Sequence, residues 1–223
     1  MKLLHIDCSP RLVSYSRRMS AAIVEAVRER RPDAEIIRRD LGSTPLPHAT
    51  PDYANTLSSP STLAAPLAGS LELSEILIQE VEAAGAVVIG TPMHNLTVPS
   101  AFKAWIDQIM RAGRTFTSTR AGKEGLLSDR PVFVAIASGG TFQAERSWQP
   151  DFLTPYLCAI FSSIGIKSVQ FFALQATAFL DKVSAPAAQA RALAALDLSA
   201  IEQNQTTQSD QPPSNNSGSF HHA

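Results

Sequence analysis

Short apolar runs and amphipathic stretches alternate along most of this chain. Residues 2–7 (KLLHID), 34–41, 86–89, 131–137 and 168–174 read as strands. Residues 17–31, 71–84, 99–111, 152–164 and 185–203 carry apolar side chains at helical spacing. In 99–111, for example, Phe102, Trp105, Ile106 and Ile109 stand at i, i+3, i+4 and i+7, one face of a helix. The run AVVI at 86–89 is continuously apolar, as expected of a strand covered on both faces. Strands and helices in regular alternation predict an α/β fold. Right-handed crossovers narrow the choice to a doubly wound five-stranded parallel sheet, order 2-1-3-4-5, with helices on both faces. Ligands of such sheets sit beyond the C-terminal strand ends, at the switch point between the first and third strands. The loops after strands one, three and four are therefore expected to meet.

Composition removes several alternatives. Nineteen Lys and Arg against twenty Asp and Glu leave a net charge of −1, without the basic excess of a nucleic-acid binder. No apolar run approaches the ~18 residues of a membrane span. The opening MKLLHIDCSPR has an apolar run too short for a signal peptide, so a cytoplasmic protein is expected. Cys8 and Cys158 lie far apart in sequence and make no disulfide scaffold, and no metal-ligand spacing occurs. Residues 42–69 hold five prolines and read as one long connection, with Leu46, Tyr53, Leu57, Leu63 and Leu67 available to cover a neighbouring subunit. From residue 204 the chain is polar without period, so the expected organisation is one domain over 1–203 and a disordered tail over 204–223.

The first loop holds Ser9, Ser14, Tyr15 and Ser16 between a strand end and a helix start. Helix N-termini stabilise phosphate through free N–H groups and the positive dipole end, and serine hydroxyls add donors. The plainer role for Ser16 is an ordinary N-cap. Neither G-x-G-x-x-G nor G-x-x-x-x-G-K-[ST] is present, which removes a dinucleotide fingerprint and a P-loop. Cys8 plus five residues reaches Ser14, where a low-molecular-weight tyrosine phosphatase needs Arg, so Cys8 reads as a packed residue. The second loop offers Pro92, Met93, His94, Asn95 and Leu96, an apolar and amide mixture suited to a flat ring. The third offers Ala137, Ser138, Gly139 and Gly140, where paired glycines allow close backbone approach.

These residues resemble the FMN-dependent NADH-azoreductase and NADH:quinone oxidoreductase family, of flavodoxin-like fold. The segment TPMHNLTVPSAFKAWIDQIMRAGRTF at 91–116 is similar to the family block P-M-Y-N-F…P-x-x-L-K-x-[WY]-x-D…R-x-G-x-T-F. The resemblance covers residues 1–203. His94 stands where the family often has Tyr, Leu96 where it often has Phe, and Ser138 where Arg often precedes the glycines.

The resemblance implies FMN with its phosphate on Ser9 and the Ser14-Tyr15-Ser16 turn. It implies contacts to the isoalloxazine from Pro92, Met93, His94, Asn95 and Leu96 on one side and Ala137, Ser138, Gly139 and Gly140 on the other. NADH or NADPH would reduce the flavin, and a quinone or azo compound would then reoxidise it in a ping-pong cycle. Asn95 and the backbone near Gly139 and Gly140 are candidates to stabilise the reduced ring, and His94 to supply a proton. The resemblance also implies a homodimer. A flavodoxin-type electron carrier is the alternative reading, though such carriers are usually strongly acidic.

Overall fold

The computed structural model describes residues 1–143 and 147–203. Its main sheet contains β1 (Lys2–Asp7), β2 (Glu35–Asp40), β3 (Ala86–Pro92), β6 (Val132–Ala137) and β7 (Val169–Leu174). They run parallel in the order β2-β1-β3-β6-β7, which is the expected 2-1-3-4-5 when the main-sheet strands are counted alone. Each predicted strand is present within one or two residues, except that β3 continues through Gly90 and Thr91 to Pro92. Pairing with β6 carries it on: Thr91 lies opposite Ile136 and Pro92 opposite Ala137.

Alternate residues of the inner strands enter two separate cores. Leu4, Ile6, Val87, Ile89, Val132, Val134 and Ile136 pack with α4 (Glu72–Ala83), α5 (Ser100–Ile109) and α6 (Thr154–Ser163). Leu3, Val88, Phe133, Ala135 and Phe172 pack with α1 (Tyr15–Arg30) and residues near the end of the described chain. Helix α1 buries Met19, Ile23 and Val27 at i, i+4 and i+8, each worth about 1.5–3 kcal/mol when fully withdrawn from water. It ends at Arg30, with Arg31 as the C-cap, before Pro32, which cannot continue a helix. Gly90 lets α1 sit close on β3: a Cβ there would meet Ser20 Oγ at 2.6 Å and the Ser16 carbonyl at 2.8 Å.

Three expectations are corrected. Residues 42–69 are not a structureless connection but hold α2 (Pro51–Leu57) and α3 (Pro60–Ala64), capped by Thr50 and Ser59 with proline at the start of each. Tyr53 is turned inward on its own chain, its hydroxyl donating to the Asp107 carbonyl at 3.0 Å, so it does not reach outward. The last predicted helix is two, α7 (Ala185–Ala192) and α8 (Ser199–Gln203). A small antiparallel hairpin, β4 (Phe116–Thr119) with β5 (Gly122–Gly125), was not expected. The tail at 204–223 lies outside the described residues. Among the described residues no helix is long and apolar enough to cross a membrane, and no cluster could hold a metal ion.

Candidate functional site

The loop after β1 is built on an internal clamp. Ser14 has extended backbone, and its Oγ accepts the Arg17 N–H at 3.3 Å. Ser14 is thus the N-cap of α1, and Ser16, expected in that role, sits inside the first turn. Ser16 is fully buried with its Oγ 3.3 Å from Ser14 Oγ. Ser9 Oγ accepts the Arg11 N–H at 3.2 Å. The first-turn N–H groups have no acceptor within the helix, so they and three hydroxyls converge at this end.

Arg17 does not join them. Its Nε and Nη2 donate to the Ser9 carbonyl at 3.0 and 2.7 Å, while Nη1 and Nη2 reach the Asp40 carboxylate at 2.8 and 2.5 Å. The hydrogen bond from Arg17 holds the Asp40 carboxyl well below the usual range. Asp7, buried beneath, is also shifted down: burial opposes its charge, but His5, Ser20 and Arg17 outweigh it. Gly42 closes the clamp, since its missing Cβ would lie 1.9 Å from the Ser9 carbonyl oxygen. Cys8 is wholly buried and burial drives its thiol pKa up, which fits the packed role and not a nucleophile.

The loop after β3 is pinned to β6 by the Met93 N–H, which donates to the Ala137 carbonyl at 2.9 Å. His94 and Thr97 then exchange backbone hydrogen bonds at 2.9 and 3.1 Å around a tight turn. Both central residues are left-handed, Asn95 at φ 48° and Leu96 at φ 70°. Asn tolerates this; Leu is strained there by about 1–2 kcal/mol. The Phe152 N–H holds the turn through the Leu96 carbonyl at 3.2 Å. His94 and Asn95 are exposed, and Pro92, Met93 and Leu96 half-buried. A cavity of about 210 Å³ beneath His94 is lined also by Pro10, Leu46, His48 and Pro99. No local pattern in the chain places His48 there.

The loop after β6 is fixed from two sides. Ser138 is buried, its N–H donating to Leu174 and its carbonyl accepting from Thr177. Gly140 and Gly139 carbonyls accept the N–H groups of Ala176 and Ala178 at 3.1 and 3.4 Å, so the segment after β7 also belongs to the site. Gln149 Nε2 donates to Ser138 Oγ at 2.8 Å and lies 3.2 Å from Met93 Sδ. Gln149 therefore joins the second and third loops. No local pattern marked it, because its partners are fixed only by the folded sheet.

The expected residues thus gather at the C-terminal ends of β1, β3 and β6, three neighbours in the sheet. A parallel sheet in this order with a hydroxyl-rich helix start at its switch point defines a flavodoxin-like protein. A family model described as "Flavodoxin-like fold" matches residues 1–198. The chain belongs to that family, among the FMN-dependent NADH:quinone oxidoreductases. It is 47% identical over 181 residues to FMN-dependent NADH:quinone oxidoreductase 4 of Pseudomonas fluorescens, covering 81% of this chain and 86% of that one. A second relative of this name, from Cupriavidus pinatubonensis, is 46% identical over 76% of this chain and 83% of its own. Among solved structures, an FMN-dependent NADH-azoreductase from Bacillus anthracis in complex with FMN is similar at a TM-score of 0.74 and 25% identity. That likeness covers 91% of this chain and 99% of the other.

Proposed function

We infer that this protein is an FMN-dependent oxidoreductase that takes electrons from NADH or NADPH and reduces quinones and azo compounds in a ping-pong cycle. The observation that carries the reading is the convergence of three loops, each with the donor set that one part of FMN requires. Bound there, FMN would supply two-electron redox chemistry between the nicotinamide donor and the acceptor.

The chain's own part is to hold and orient. Hydroxyls of Ser9, Ser14 and Ser16, with the N–H groups opening α1, suit a terminal phosphate. Pro92, Met93 and Leu96 offer apolar and thioether contact to a ring face, and the strained turn fixes where they stand. Ala137, Ser138, Gly139 and Gly140 lie at the other edge, and the Asn95 amide with the N–H groups near Gly139 and Gly140 are the donors that would favour negative charge on a reduced ring. His94, exposed at the cavity mouth, holds an exchangeable imidazole proton within reach of solvent.

The two cores on alternate strand residues support a doubly wound sheet with helices on both faces. Exposed Leu67, Ile76, Trp148 and Phe152 support a homodimer whose partner helps to wall each site. Residues 1–203 form the FMN-binding domain, and we place the protein in the cytoplasm, where its two free cysteines stay reduced. The test is spectroscopic. Purified protein is expected to be yellow, to bleach with NADH or NADPH without oxygen, and to recover its colour on adding a quinone. A colourless protein that takes up no FMN would overturn the reading. Bleaching without recovery by any quinone or azo dye would point to an electron carrier.

A further inference from the structure

We propose that the groove between the first turn of α1 and the start of α7 is an anion subsite that takes the phosphates of the nicotinamide donor. The proposal rests on the oxidoreductase reading above and adds the donor's anchoring point. The groove measures about 400 Å³ and is lined by Arg11, Val13, Tyr15, Arg18, Lys182 and Gln189, together with Ala185 and Pro186. A space of this size matches the lower range of small-molecule sites.

Its charge is one-sided. Three cations face it and no carboxylate lines it. Among the described residues, none of the three takes part in an ion pair, whereas Arg17, one position before Arg18, is fully engaged by Asp40 and Asp7. The Arg18 guanidinium lies 4.5 Å over the Tyr15 ring, which orients it without neutralising it. Asp181 stands next to Lys182 in the chain, but its Oδ1 accepts the N–H groups of Val183 and Ser184, both at 2.8 Å, at the start of α7. Gln189 Nε2 is buried with no partner among the described residues. A buried donor without an acceptor is costly, and an oxyanion in the groove would supply one.

The groove adjoins the seat assigned to the FMN phosphate at Tyr15 but opens on the other side of the turn. Ser16 and Ser20 are buried on the sheet side of α1, while Tyr15 and Arg18, three apart, share its outer side. It is nevertheless tied to the ring side of the site. The segment whose N–H groups bind the carbonyls of Ser138, Gly139 and Gly140 continues through Phe179 to Lys182. Four residues from Ala178 to Lys182 span at most about 14 Å. A dinucleotide whose nicotinamide lies by the Gly139-Gly140 loop can extend its phosphates along that segment. Trp148 and Phe179, an exposed edge-to-face pair with centroids 5.7 Å apart, border the same path.

The experiment uses the FMN-loaded protein and the double variant R18Q/K182Q. KM for NADH and NADPH is expected to rise about tenfold, while the FMN dissociation constant and the quinone KM stay at parental values. As direct probes, ADP and 2′,5′-ADP should inhibit the parent competitively with the donor, adenosine should not, and the variant should lose that inhibition. Stronger inhibition by 2′,5′-ADP than by ADP assigns the groove to a 2′-phosphate; stronger inhibition by ADP assigns it to the 5′-diphosphate. Should the variant fold poorly, inhibition of the parent by ADP must weaken steeply as salt is raised. Unchanged donor KM with unchanged ADP inhibition overturns the proposal. So does weakened FMN binding with an unchanged donor KM, which would make the groove part of the cofactor's own seat. A parent protein that binds no FMN would instead overturn the oxidoreductase reading itself.

Discussion

Replacing Gly42 by Ala tests whether the loop after β2 shapes the phosphate seat. The added Cβ would lie 1.9 Å from the Ser9 carbonyl oxygen and 2.8 Å from Arg17 Nη2, distances no packed structure tolerates. Either the turn at Gly42 or the Ser9 carbonyl must move. Overpacking of this kind costs about 1–3 kcal/mol. A displaced Ser9 carbonyl also forfeits hydrogen bonds to a guanidinium, a loss of about 1.5–3 kcal/mol. The sum, about 4 kcal/mol, corresponds to a Tm lower by roughly 10 °C in a chain of this size. Misplacing the Ser9 hydroxyl should in addition weaken FMN about fivefold, one neutral hydrogen bond's worth. Thermal unfolding of the apoprotein and quenching of FMN fluorescence on titration read the two effects separately. Gly139→Ala is the control: its Cβ would meet Ala178 Cβ at 3.8 Å, an ordinary contact, and Tm should change by less than about 2 °C. A Gly42→Ala protein with parental Tm and parental FMN affinity would show that the clamp does not set the seat.

Two further outcomes follow from the same loop. Ser14→Ala should lower stability by about 1 kcal/mol through loss of the cap and also reduce FMN retention, whereas Ser16→Ala should reduce retention alone; equal urea midpoints for both variants would contradict this. Acid should destabilise the protein through Asp40 and Glu75, whose folded-state carboxyls lie below their unfolded values, Glu75 at about 2 because of Arg111 and Arg114. Their stabilisation is complete above the ordinary carboxyl range and is lost as pH falls through the folded values, so the urea midpoint should drop below about pH 4. Asp40→Asn should flatten that fall, and an unchanged slope would remove Asp40 from the account.

What the sequence made legible was whatever depends on neighbours in the chain. AVVI and the PVFVAIA run announced buried strands because continuous apolar residues exclude other placements, and strand order followed from connection rules. The serines, the Met93–Leu96 stretch and the paired glycines were found because strand ends were found. The cap lies two residues before the expected one, since Ser14 and Ser16 are equally good capping residues and only the backbone at Ser14 decides. The hairpin of β4 and β5 stayed hidden because, beyond the buried Phe116, its residues are polar or glycine and mostly exposed, without alternation. Arg17, Gln149 and the Gln175–Leu180 segment were missed for another reason. Each acts on partners 8 to 56 residues away, and no local pattern distinguishes an arginine that clamps a carbonyl from one in solvent.

Strand order also sets a sequence of events during synthesis. β1, β2 and β3 are neighbours, so the central strand and two partners are available once Pro92 has left the ribosome. The other edge of β3 pairs with β6, which begins at Val132. Until then the nascent chain presents Val87–Pro92 as an open, apolar edge with unpaired N–H and C=O groups. Such edges recruit other chains. The half of the site built on the first and second loops exists in that interval without Ser138, Gln149 or the segment after β7. Translation slowed between residues 92 and 132 would prolong the exposure of that edge, and coexpressed chaperone should raise the soluble yield most when codons there are slow.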